Sequence, residues 1–254
     1  MCFIDDTRRI NVYNENEFLI IMHDTINYFR PRKLGPELAV EDAVVRQIPE
    51  LFSNNYERSW TAGSVPIGAG LPDLIVASYN PDVLKLSQIE SSNSRTLAYL
   101  RMNRFADLNS LMNVIKLPRK RANAQIERLL DEKVIFSKSK GFFLCPIWFK
   151  ILPEIVTIEA KVNDWQKAIV QANRNKIFAH RSFIALPENV AKRIRKEPIL
   201  NKLGLGLLSV DDDCNVSVLR KGRRSNPFVW NYYYKLAFLI ANNQRKPDAI
   251  HSSH

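Results

Sequence analysis

The sequence predicts an α/β fold in which a small mixed sheet is flanked by helices and a separate helical segment is inserted in its middle. Short apolar segments rich in β-branched residues, at 73–78, 155–161 and 181–187, alternate with stretches of helical periodicity. The segment 94–146 differs, because three helical patterns in a row precede two short strands. With 254 residues and 46% hydrophobic composition, the chain can build a sizeable core, as one large domain or two small ones.

The strand predicted at 155–161 ends in an acid and a base two positions apart. Because side chains alternate between the faces of a strand, Glu159 and Lys161 are expected on the same side. Asn163 or Asp164 then caps the helix that follows. A carboxylate beside an ammonium at the end of a core strand suits a metal ion and a water in phosphodiester chemistry. A surface ion pair is the ordinary alternative for so short a motif.

A second acid opens another apolar strand. The glycine-rich turn at 68–72 delivers Asp73 at the start of the strand predicted at 73–78. An acid at the head of a strand that is otherwise apolar conflicts with the local pattern, and such conflicts tend to mark functional sites.

Upstream, Gly35-Pro36 opens a helix with apolar positions through Leu51. Glu37 and Glu41 lie four residues apart and therefore share one face of that helix. A solvated pair of acids is the alternative interpretation for both.

Further elements are expected on both sides of these segments. We expect a helix over 14–28, a strand at 56–65, a strand at 203–210 and an aromatic-rich helix over 227–241. The aromatic residues of the last helix are typical of a core or a dimer surface rather than of a platform for nucleic-acid bases.

Pro72-Asp73 followed by Glu159-Ala160-Lys161 resembles the signature of the PD-(D/E)xK nuclease superfamily, which has the restriction-endonuclease-like fold. The resemblance covers residues 37–80 and 151–210. Glu41 is similar in position to the superfamily's first-helix acid, with Glu37 as the alternative, and Gln171 stands where many members carry a glutamine.

The chain departs from the superfamily in one respect. Asp73 and Glu159 lie 86 residues apart, whereas the two acids usually occupy adjacent strands of a hairpin. The resemblance therefore implies a discontinuous nuclease-like domain, 1–85 and 151–254, with residues 94–146 inserted.

The inserted segment is similar to winged helix-turn-helix DNA-binding domains, because two helices, a basic third helix and a strand-turn-strand follow one another. In such domains the third helix enters the major groove and the wing approaches the backbone. The likeness implies base or groove contacts from Arg119, Lys120, Arg121, Asn123 and Gln125, and phosphate contacts from Lys138 and Lys140.

The distribution of charge agrees with an acidic partner. The net charge is +11, and residues 94–140 hold eleven Lys and Arg against four Asp and Glu, whereas residues 1–93 hold eight against thirteen. DNA is the leading interpretation of this concentration of positive charge, and a solvated basic face without a ligand is the alternative.

Composition argues against several other classes of protein. Cys2, Cys145 and Cys214 show no CxxC spacing, so neither a disulfide framework nor a structural zinc site is expected, and reduced thiols indicate a cytoplasmic protein. No apolar run approaches the length of a membrane span, and the start of the chain lacks the order of a signal peptide.

The resemblance implies hydrolysis of DNA phosphodiester bonds with Mg²⁺ or Mn²⁺. Asp73 and Glu159 would hold the metal, the Ala160 carbonyl would be a further ligand, and Lys161 would orient the attacking water or help to deprotonate it. Glu41 would complete the site, and Gln171 would position Lys161 or the phosphate.

Two alternatives stay open. The chain could be a DNA-binding regulator that no longer cuts, or one subunit of a homodimer in which the partner supplies the second active site. Restriction, defence against foreign DNA and DNA repair are all compatible with the sequence.

Overall fold

The computed structural model describes residues 26–244 except 33, 53–57, 69 and 140. A seven-stranded mixed sheet flanked by helices lies at its centre, which confirms the α/β class. The strands of this sheet are β1 (Asn27–Tyr28), β2 (Ser59–Gly63), β3 (Leu74–Ser78), β6 (Glu154–Ala160), β7 (Arg181–Pro187), β8 (Gly206–Val210) and β9 (Val216–Arg220), and a separate hairpin is formed by β4 (Ile135–Lys138) and β5 (Gly141–Leu144).

Eight α-helices accompany the strands within the described residues. They are α1 (Pro36–Phe52), α2 (Ser94–Asn103), α3 (Leu108–Ile115), α4 (Arg119–Asp131), α5 (Trp165–Asn175), α6 (Glu188–Ile194), α7 (Pro198–Leu203) and α8 (Trp230–Gln244). Short 3₁₀ helices lie at 81–88, 91–93 and 146–150.

The strand order β1-β2-β3-β6-β7-β8-β9 makes neighbours of two strands that are distant in sequence. Strand β3 pairs antiparallel with β6, so the whole segment between them leaves the sheet and returns beside its starting point. Strands β6, β7 and β8 run parallel, with α5 connecting the first two, as a parallel crossover requires.

Side chains on alternate faces of the sheet enter different cores. On β6, Val156 and Ile158 lie in the core that also contains Val40 and Val44 of α1. Ile155 points to the opposite face and belongs to the core of α8 and the middle segment. Glu159, one residue beyond Ile158, is therefore expected on the face away from α1.

Most of the predicted elements are confirmed, including the strand at 181–187 and the helix after Asp164, whose carboxylate accepts the Lys167 N–H at 3.0 Å. Several boundaries are corrected: the strand predicted over 56–65 spans Ser59–Gly63, and the helix predicted over 227–241 spans Trp230–Gln244. Asn27–Tyr28 is a strand rather than the end of a helix, and residues 14–25 lie outside the described residues. The strand predicted from 203 begins at Gly206, because Gly204 adopts a left-handed φ of 66° that ends α7.

The middle segment contains the predicted order of elements, α2, α3 and α4 followed by the β4–β5 hairpin. Its apolar side chains do not form an isolated core. Leu97, Leu100 and Leu129 belong to the same cluster of buried residues as Ile75 of β3 and Phe238 of α8. The segment is therefore packed directly on one face of the sheet-bearing body.

Helix α8 closes that core with aromatic side chains. Tyr233 accepts the Leu152 N–H at 2.8 Å, and Tyr234 donates to the Trp148 carbonyl at 2.9 Å, so both buried hydroxyls are satisfied. The expectation of a core role is confirmed for these two tyrosines and for Phe238. Of the helices that the structure describes, none combines the length and apolar character needed to cross a membrane.

His180 is a buried histidine directly before β7. Its Nδ1 accepts the Ile155 N–H at 3.1 Å, and its ring meets that of Tyr233 edge to face with centroids 6.1 Å apart. Burial, followed by the charges of three nearby arginines, lowers the pKa of His180 to about 3. The imidazole is therefore neutral in the folded protein at physiological pH.

We predict that His180 makes the folded state sensitive to acid. Between pH 6.5 and about 3, the unfolded chain binds a proton on this imidazole that the folded chain does not. The contribution of His180 to the free energy of unfolding is therefore fully present above pH 6.5 and is lost as the pH decreases. The loss is at most about 1.4 kcal/mol per pH unit. Urea unfolding followed by tryptophan fluorescence measures it.

The matched variant is His180→Asn, whose Oδ1 can replace Nδ1 as the acceptor for Ile155 but does not titrate. Its free energy of unfolding should fall less than that of the wild type between pH 6.5 and pH 4.5. Parallel curves for the two proteins would show that the imidazole does not carry this sensitivity.

Candidate active site

The pairing of β3 with β6 places the two predicted acids across from each other. The register runs to Leu74 opposite Ile158, so Asp73 and Glu159 are the next pair. Asp73 Oδ2 accepts the Ala160 N–H at 2.9 Å, which fixes this carboxylate against the end of β6. The antiparallel pairing of β3 with β6 thus brings together Asp73 and Glu159, which are 86 residues apart in the sequence.

Glu159 is fully buried at the end of β6. Its Oε1 accepts a hydrogen bond from Asn175 Nδ2 at 2.6 Å, whereas Oε2 has no hydrogen-bond partner within the described residues. Burial and then the charge of Asp73 raise the pKa of Glu159 to about 8, against the opposing effect of Asn175 and Lys161. Burial and the neighbouring Asp73 therefore both disfavour the charged form of Glu159.

Lys161, one residue past the end of β6, supplies positive charge to this site. Its Nζ lies 3.4 Å from Asp73 Oδ2 and 3.1 Å from Glu37 Oε2, and it donates to the Ala160 carbonyl at 2.7 Å. Burial alone would lower the pKa of Lys161, but the acids around it, Asp73 first, raise it. The side chain is therefore an ammonium that can orient groups and balance charge, rather than a base.

Both candidate acids of the first helix lie near this cluster, in different positions. Glu37, with about half of its side chain exposed, contacts Lys161. Glu41 instead pairs with Arg32 Nε at 3.2 Å. Burial raises the pKa of Glu41, and the charge of Asp73 adds to the increase. The structure thus brings Glu37 to the lysine and leaves Glu41 one helical turn further, as a neighbour of Asp73.

The helix after the acid-x-Lys strand contributes a residue that sequence reasoning missed. No hydrogen bond between described residues joins Gln171 to Lys161, and the buried Oε1 of Gln171 has no partner among them. Asn175, one turn later on the same face of α5, holds Glu159 instead. Asn175 lies four residues after Gln171, so helical periodicity predicts the same face of α5 for both amides. The rotation of α5 against the sheet decides which of the two reaches the Glu159 carboxylate.

The donor set fits a hard divalent cation. Asp73 and Glu159 offer carboxylate oxygens, the Ala160 carbonyl follows Glu159 at the end of β6, and Glu159 Oε2 lacks a hydrogen-bond donor in the described part of the chain. No group of three or more His, Cys, Asp or Glu able to hold a metal occurs within the described residues. Mg²⁺ commonly uses only one or two carboxylates and keeps several waters, so two acids suffice.

The predicted DNA contacts divide into exposed and buried residues. On α4, Arg119, Lys120, Arg121 and Asn123 are exposed. Gln125 does not point outward as predicted: it is 3% exposed and accepts a hydrogen bond from Asn93. The reason is that α4 packs on the core through its Ala122 and Ile126 face, which Gln125 borders.

Of the two lysines predicted on the wing, one lies within the described residues. Lys138 is exposed on β4, next to the turn of the hairpin. Lys140 lies outside the described residues.

No protein-family model matches the chain, and the comparisons with curated proteins and with solved structures likewise give no match.

We predict that Glu159→Gln raises the thermal stability of the metal-free protein. The amide keeps the shape of the side chain and the oxygen that accepts from Asn175, and it removes the buried charge facing Asp73. A gain of about 1 kcal/mol would raise the melting temperature by about 2–4 °C. Differential scanning fluorimetry in EDTA at pH 8 measures it.

The control is Glu188→Gln, which neutralises an exposed acid paired with Lys192 and should hardly move the melting temperature. A lower melting temperature for Glu159→Gln would mean that the buried carboxylate stabilises the fold, as a structural ion pair would.

Proposed function

We propose that the chain is a metal-dependent DNA endonuclease with a site of the PD-(D/E)xK type on a restriction-endonuclease-like fold. One observation carries the proposal: Asp73, Glu159 and Lys161, from distant parts of the sequence, meet at one end of two paired strands. A carboxyl group that is buried beside a second acid is costly to assemble. A divalent cation and a phosphodiester are the ligands that this arrangement suits.

Asp73 and Glu159 would hold Mg²⁺ or Mn²⁺, with the Ala160 carbonyl as a further ligand. When bound, the ion would polarise the phosphodiester and lower the pKa of a water molecule that attacks phosphorus. The Ala160 N–H fixes the orientation of Asp73, and Asn175 fixes that of Glu159, so the chain holds both carboxylates in place before any ligand arrives.

Lys161 would stabilise the negative charge that develops on the phosphoryl oxygens. Its ammonium already lies among acidic groups, which keep it protonated and directed toward the ends of the strands. Glu37 of α1 would pair with this ammonium. Glu41, on the same helix, would add negative charge near Asp73. Gln171, whose buried Oε1 has no partner among the described residues, would complete the polar wall of the site from α5.

DNA would reach this site through the basic surface of the middle segment. Arg119, Lys120, Arg121 and Asn123 are exposed on one helix, and Lys138 is exposed on the hairpin that follows. By the likeness to winged helices, α4 would enter the major groove. Gln125 has no part in this contact, since it is buried against Asn93.

A second candidate function is a DNA-binding regulator that does not cut. One observation favours it: Lys161 Nζ already donates to the Ala160 carbonyl at 2.7 Å, and this oxygen is a candidate metal ligand. In a regulator, the ammonium would serve as a permanent replacement for the cation. The two functions differ in whether added metal leads to cleavage.

We predict metal-dependent cleavage that requires Lys161. Purified protein should cut supercoiled, linear or branched DNA with Mg²⁺ or Mn²⁺ and not in EDTA. Lys161→Ala should lower the rate by about 100-fold or more, because a charge directed at the transition state is removed. Its affinity for DNA in EDTA should stay close to that of the wild type. Gel-based cleavage and fluorescence anisotropy give the two measurements.

Lys196→Ala, which removes an exposed lysine after α6, is the control and should cut like the wild type. Cleavage that survives Lys161→Ala would refute the assigned site. Binding by the wild type on every substrate without cleavage would establish the regulator instead.

We also predict that the basic side chains of α4 bind duplex DNA. Replacing Arg119, Lys120 and Arg121 together by alanine should weaken binding by about 10- to 100-fold at low salt. The slope of log affinity against log salt concentration should become shallower by about 0.9 for each phosphate that the protein no longer neutralises. Anisotropy titrations at several salt concentrations measure both quantities.

The control removes the same charge elsewhere, through alanine at Lys192, Arg193 and Lys196, which are exposed on or next to α6. An equal loss of affinity in both triple variants would show that only net charge matters and that α4 is not the contact surface.

A further inference from the structure

A cluster of aromatic rings lies on the outer face of the β4–β5 hairpin. Phe136 and Phe143 are opposite each other in the antiparallel register, and their rings stack at 18° with centroids 5.2 Å apart. Phe105, from the loop between α2 and α3, adds a third ring at 5.5 Å from that of Phe143. We call the rings of Phe105, Phe136 and Phe143 the aromatic platform.

The platform is held in place by the backbone. Ala106 exchanges two hydrogen bonds with Phe142, at 3.1 and 2.8 Å, which ties the loop carrying Phe105 to β5. Gly141 makes room for the Phe105 ring, since a Cβ there would lie 1.9 Å from the ring. The other face of the hairpin buries Ile135 in the core. The rings are therefore ordered before any ligand binds.

The platform is exposed and bordered by positive charge. Phe105 is 47% exposed and Phe136 is 40% exposed, and such grouping of exposed phenyl rings in one patch is informative where a single exposed ring is not. Together with Phe143, they line a shallow hollow whose other lining residues are Lys138 and Ser139. Lys138 lies two positions after Phe136 and so projects from the same face of β4.

We propose that the aromatic platform binds unpaired bases of DNA, so that the substrate of the proposed nuclease is DNA with a single-stranded portion. The inference rests on the proposed function for the cleavage step, but binding is independent of it. An unpaired base would extend the stack that Phe143 and Phe136 begin, and Lys138 would contact the adjoining phosphate. Aromatic rings combined with basic side chains are the usual means of holding single strands without sequence preference.

The charge around the aromatic platform favours a nucleic-acid strand over a second copy of the chain as its ligand. Among the described residues that line the hollow, Lys138 alone is charged, and the surrounding segment 94–140 carries eleven basic against four acidic residues. Two such faces would repel each other in a dimer, whereas a nucleic-acid strand brings phosphates. In a duplex, paired bases are stacked on their neighbours and offer no free face to the rings.

The test measures binding in EDTA, where cleavage plays no part. The probes are a fluorescein-labelled single strand, the same strand fully paired, and a single strand containing 2-aminopurine. Phe136→Ala should weaken single-strand binding by about 10-fold, within the range for loss of one stacked base, and should leave duplex binding nearly unchanged. Wild-type protein should quench 2-aminopurine, and Phe136→Ala should quench it less. Phe136→Trp should restore both.

Phe228→Ala is the matched control, because Phe228 is an exposed phenyl beside a lysine, with Lys176 Nζ 5.8 Å from its ring, outside the middle segment. It should bind both probes like the wild type. Equal single-strand affinity of Phe136→Ala and the wild type would overturn the inference. So would a wild-type dimer in sedimentation that Phe136→Ala converts to monomer, since the platform would then be a contact between copies.

The outcomes separate the two proposals. Loss of single-strand binding in Phe136→Ala supports the platform even if no metal leads to cleavage, in which case only the nuclease fails. Metal-dependent cleavage combined with unchanged single-strand binding in Phe136→Ala keeps the nuclease and removes the platform.

Discussion

The antiparallel pairing of β3 with β6 is the constraint on which the candidate site depends. It sets Asp73 opposite Glu159 and lets the Ala160 N–H hold the Asp73 carboxylate. Lys161 follows one residue later and donates back to the Ala160 carbonyl. A shift of the register by one residue would turn Glu159 toward α1 and separate the acids. The meeting of Asp73 with the end of β6 is therefore a consequence of strand pairing and not of a local motif.

This arrangement opposes the stability of the fold. Glu159 is fully buried, and burial together with Asp73 raises its pKa, so the acid is held where its charged form is unfavourable. The amide hydrogen bond from Asn175 and the positive charges of Lys161 and Arg174 offset part of this cost. A structural ion pair would more simply use one acid for one base. The excess of acid is what a ligand of positive charge would relieve, and it is the physical basis of the proposed function.

How far the sequence predicts this site depends on the range of the interactions involved. Strand alternation is local, and it predicts Glu159 and Lys161 on one side from their spacing alone. The contacts of Lys161 with Asp73 and with Glu37 of α1 depend instead on tertiary packing. The choice between Glu37 and Glu41, and between Gln171 and Asn175, depends on how α1 and α5 are rotated against the sheet. Helical periodicity leaves residues four apart equivalent, and only tertiary packing distinguishes them.

The orientation of Gln125 on the basic helix α4 is likewise decided by tertiary packing and not by the local sequence. Its polar side chain, amid arginines and lysines, fits an outward face, but its partner Asn93 lies 32 residues earlier and is buried with it. That hydrogen bond ties α4 to the start of α2, whose Leu97 shares a core with Ile75 of β3. The basic helix is thus fixed to the strand that leads back to Asp73 through packed side chains rather than through a linker. For the proposed nuclease, the distance between the DNA contact and the point of cleavage would consequently be set by this core, and substitutions that loosen it would alter where the strand is cut before they alter whether it is cut.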